Sequence, residues 1–109
     1  MKKDTVLALL DATGIRREAD FVVPINGTPV GLPYQVVRTK ETVTGSDNGK
    51  VNIQKIEWGV SLFAANRDIA LEAAIQKALV GVGKVEVIHF PDGKPYQTTF
   101  KFSTTQILR

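Results

Sequence analysis

Between Lys55 and Ala64 the side chains alternate without a break: Ile56, Trp58, Val60, Leu62 and Ala64 share one parity, while Lys55, Glu57, Gly59 and Ser61 share the other. A period of two sustained this long is the pattern of a β-strand with one face in a core and the other in water. The strand runs almost directly into Asn66-Arg67-Asp68 and then an Ala/Leu/Ile-rich segment. A one-faced strand therefore hands over to a helix able to cover it, which points to an α+β chain built as a two-layer sandwich. At 109 residues the chain is long enough for one core and short for two, so residues 1–109 are expected to form a single domain.

Composition narrows the class further. Charged residues make up 23% and hydrophobic ones 43%, a balance that supports a packed core and differs from that of disordered chains. The absence of cysteine excludes disulfides, thiolate metal sites and cysteine nucleophiles. The apolar run Val6–Leu10 ends at Asp11, too short for a signal h-region or a membrane span, so no export signal is readable and no membrane partner is expected. A net charge of +3 is mildly basic, and apart from Lys2, Lys3, Arg16 and Arg17 the cations are dispersed. That is not a nucleic-acid signature by itself.

Along the chain, Asp4 can cap a first helix over residues 4–13 with Val6, Leu7, Leu10 and Ala8 as its stripe and Gly14 after its end. Arg16 to Asp20 is a charged stretch. Phe21-Val22-Val23 can form a short strand before Pro24, Gly27, Pro29, Gly31 and Pro33 break regular structure. Strands over 34–44 and 51–64, separated by the turn-rich Gly45-Ser46-Asp47-Asn48-Gly49, read as a projecting β-hairpin. Asn66 or Asp68 can cap a second helix whose face carries Leu71, Ile75, Ala78 and Leu79 beside Ala74, and Gly81 and Gly83 end it. A hairpin closes the chain, with strands over 84–90 and 96–103 around the turn Pro91-Asp92-Gly93-Lys94. The expected order is α-β-β-α-β-β, a mostly antiparallel sheet with two helices packed on it.

Catalytic chemistry is scarce. His89 is the only histidine, and no second ligand or orienting partner can be named for it, so a sheet-face histidine is the expectation. Asp92-Gly93 is accounted for by turn chemistry. Residues 45–50 have glycines and a lysine but neither the spacing of a phosphate loop nor a following helix. Asp68 and Glu72 lie one helical turn apart, where acidic residues offset the helix dipole. Trp58, Phe100 and Phe102, with Tyr96 in register, are expected in the core, and no RNA-binding motif accompanies them. Phe63 breaks the parity of its strand and is either an end effect or an exposed aromatic for a partner. No cofactor, metal or catalytic residue is assigned, and the chain is not expected to be an enzyme. Were it one, His89 would have to meet Ser61, Thr98 or Ser103 in a pocket.

The order and spacing of Val6-Leu7-Ala8-Leu9-Leu10-Asp11-Ala12-Thr13-Gly14-Ile15, Pro33-Tyr34-Gln35-Val36-Val37, Gly45-Ser46-Asp47-Asn48-Gly49, the long strand, the Leu71-Glu72 helix and Tyr96-x-Thr98-x-Phe100-x-Phe102 resemble the tail-completion, or tail-terminator, proteins of long-tailed phages and prophages. The resemblance spans nearly the whole chain. In place of that family's Pro-rich stretch before Tyr34 stands Asn26-Gly27-Thr28-Pro29-Val30-Gly31. It implies a structural virion protein, assembled in the bacterial cytoplasm, that forms a ring, hexameric by resemblance. Such a ring caps the tail tube, joins it to the head connector, and lets DNA pass without sequence-specific binding. Its partners are then further copies of itself, the tube protein and the connector protein. The expected interface residues are Lys40, Glu41, Asp47, Asn48 and Lys50 in the hairpin arm and Phe63 at the strand end. The competing reading is a small monomeric adaptor or nucleic-acid-binding domain whose basic surplus contacts phosphate; binding of that kind weakens steeply with salt.

Overall fold

A computed structural model describes residues 2–18, 31–44, 52–93 and 95–108. In chain order the elements are α1 (Lys3–Asp11), β1 (Arg17–Glu18), β2 (Tyr34–Thr44), β3 (Asn52–Ala64), α2 (Ile69–Ala78), a short 3-10 turn (Val80–Val82), β4 (Glu86–Phe90) and β5 (Tyr96–Leu108). The strands form one sheet in the order β1-β2-β3-β5-β4, antiparallel except for the parallel β1/β2 pair. Two helices and a mostly antiparallel five-stranded sheet make the fold α+β.

The alternation in β3 does what its period dictates. Ile56, Trp58, Val60, Leu62 and Ala64 are all buried, and the unbroken ladders with β2 and β5 transmit the same parity across the sheet. From β5 the buried Phe100 and Phe102 join this layer; α1 adds Val6 and Leu10, and α2 and its end add Ile75 and Leu79. Trp58 and Phe102 are direct cross-strand partners whose rings stack at 5.6 Å, and the indole Nε1 donates to Thr104 Oγ1 at 2.8 Å. Both helices thus serve one face of the sheet.

Helix ends follow their local chemistry. Asp68 caps α2, its Oδ1 accepting from the Leu71 N–H at 3.0 Å. At α1 the position before the first turn is Lys2, without a side-chain cap, and Asp4 lies inside that turn, where its charge faces the helix dipole favourably. Val6 and Leu10 are buried as expected, Leu7 packs partly, and Ala8 is exposed. Past the helix, Gly14 takes φ +79°, a conformation that side chains disfavour. Gln35 then ties β2 to α1: its Nε2 donates to Leu10 O at 3.2 Å and Ile15 O at 2.9 Å.

Three expectations need correction. The charged stretch after residue 15 contains β1, which joins the sheet because Arg16 O accepts from Gln35 N–H at 2.7 Å, so the expected order lacked one strand. β5 runs to Leu108, well past residue 103, since Phe102, Thr104 and Gln106 continue the inward parity opposite β3. The strand expected at 84–90 begins at Glu86. The possible strand at Phe21-Val22-Val23 and the hairpin tip at 45–51 lie outside the described residues.

Candidate assembly surface

Strand lengths leave the sheet unevenly paired. β2 pairs with β3 along its full length but with β1 only at Gln35 and Val36, so residues 37–44 have no described partner strand on that side. β5 pairs with β3 throughout but with β4 only over residues 97–101, leaving residues 102–108 likewise. Among the described residues, one half of the sheet is therefore a three-stranded β2-β3-β5 ribbon whose two flanks no further strand covers. Such edges carry rows of backbone donors and acceptors that template pairing with another chain. Both flanking strands are antiparallel to β3, so they are parallel to each other.

The ladders also assign each side chain to a face. Among the described residues no helix packs on the face away from the core. There, Arg38, Gly59, Lys101 and Glu86 form one cross-strand row, and Lys40, Glu57 and Ser103 form the next. Together with Lys84 they line a cleft of about 740 Å³. Further toward β2's start, Tyr34 and Phe63 stack at 5.1 Å, and Ser61, Thr99 and Gln97 share hydrogen bonds of 3.0 to 3.3 Å. At the opposite end Ile53 and Ile107, direct partners on this face, are both exposed.

The expected interface residues do not form one patch. Lys40 sits on the helix-free face in the cleft, whereas its neighbour Glu41 faces the other way and is held by Lys3 Nζ at 2.6 Å and Gln54 Nε2 at 3.3 Å. Phe63 lies six strand positions from Glu57, the partner of Lys40, about 20 Å along β3. It is half-buried against Tyr34, between the two readings left open for it. Asp47, Asn48 and Lys50 lie outside the described residues. Sequence reasoning missed Arg38, Gly59 and Lys101, because their convergence depends on the pairing register; Gly59 in an otherwise β-rich strand was the available signal.

The residues considered for chemistry assemble differently from expectation. His89 does have partners: its Nδ1 lies 3.4 Å from Thr98 Oγ1 and 3.8 Å from Glu72 Oε1. Glu72 is only 4% exposed, and its second oxygen accepts from Arg67 Nε at 3.3 Å. The carboxylate and the hydroxyl approach the same imidazole nitrogen, so they do not form a relay through the ring, and Thr98 is buried. Ser61 and Ser103 are on the opposite face of the sheet. Among the described residues no group of three or more His, Asp or Glu side chains is placed to hold a metal ion, and no helix is long and apolar enough to cross a membrane.

No protein-family model matches the chain, and no curated protein matches it significantly.

Proposed function

We propose that this chain is a structural protein of a long-tailed phage or prophage virion. In this reading it closes into a ring at the end of the tail tube and presents a surface to the head connector. The observation that carries the reading is the pair of edges, residues 37–44 of β2 and 102–108 of β5, that no other described strand covers, on opposite flanks of one ribbon. A ring built by rotation keeps every copy pointing the same way, so the β2 edge of one copy meets the β5 edge of the next in the parallel sense that these strands already have. Closure removes both edges, the only complete remedy for an exposed sheet edge.

In such a ring the molecule works as a two-layer sandwich, helices outward and sheet inward, with the β2–β3 hairpin reaching toward the neighbouring subunit. The helix-free face, with Thr42, Ser103 and Thr105 among its residues, then lines a wet channel suited to DNA passing without base recognition. No catalytic group is required.

Cysteine cross-linking tests the edge pairing directly, because the chain has no cysteine of its own. Lys40→Cys is combined in turn with Ser103→Cys, Thr105→Cys or Ile107→Cys. Adjacent strands lie about 4.8 Å apart, within disulfide reach. Oxidation of one of these pairs is expected to give a ladder of covalent oligomers extending past the dimer. Cross-linking by Lys40→Cys alone that matches the double variants, stopping at dimer, would mean two-fold β2/β2 pairing and overturn the ring.

A further inference from the structure

We draw no further inference here: the strongest candidate, the apolar surface patch that Ile69, Ala73 and Val80 expose along the outer side of α2 and the 3-10 turn after it, carries none because nothing in the structure shows what covers it.

Discussion

At the scale of the residue, the Trp58–Thr104 pair shows how one polar contact is built into an apolar layer. The indole is 2% exposed, and its N–H is satisfied by a hydroxyl that is itself buried. Thr104→Val keeps shape and volume but removes the acceptor, so the cost expected is that of a buried unsatisfied donor, about 1–3 kcal/mol. Thermal denaturation should register this as a fall in Tm of at least about 4 °C, while Thr104→Ser, which keeps the hydroxyl, should lose less. The burial of Trp58 was readable from the parity of its strand; its partner was not, because it lies 46 residues away and belongs to a stretch of β5 that carries little apolar signal.

At the scale of the element, legibility followed the strength of local signals. Asp68 was readable as one of two candidate caps, with Asn66, because both precede an amphipathic run, and Asp68→Ala should destabilise the fold by about 1 kcal/mol, with Asp68→Asn nearly neutral; urea midpoints at unchanged m would check this. β3 was readable because helices cover one of its faces and water the other. The end of β5 was not, since beyond Phe102 both faces carry Ser, Thr and Gln and the alternation loses contrast. β1 was hidden for another reason: two residues paired in parallel to β2 owe their strand geometry to a tertiary hydrogen bond rather than to their own pattern. Glu72 was read as an acid that offsets the helix dipole in a first helical turn, and the sheet in addition brings His89 and Thr98 beneath it while Arg67 closes over it.

At the scale of the whole molecule, the account rests on asymmetry. One face of the sheet is spent on two helices and the core; the other carries a basic cleft, and the long strands overrun their short neighbours to leave two edges. The covered face was readable from the alternation of β3, whereas the rows of the cleft and the extent of the two edges were not, because these are properties of pairing. The arm residues Lys40 and Glu41 illustrate the point, adjacent in sequence and on opposite faces once paired. The most direct test of ring assembly is the native mass of the protein over a rising concentration series, with negative-stain images of the same samples. The account predicts closed rings of one subunit number that grow in population with concentration; a monomer or a two-fold dimer at every concentration would contradict it.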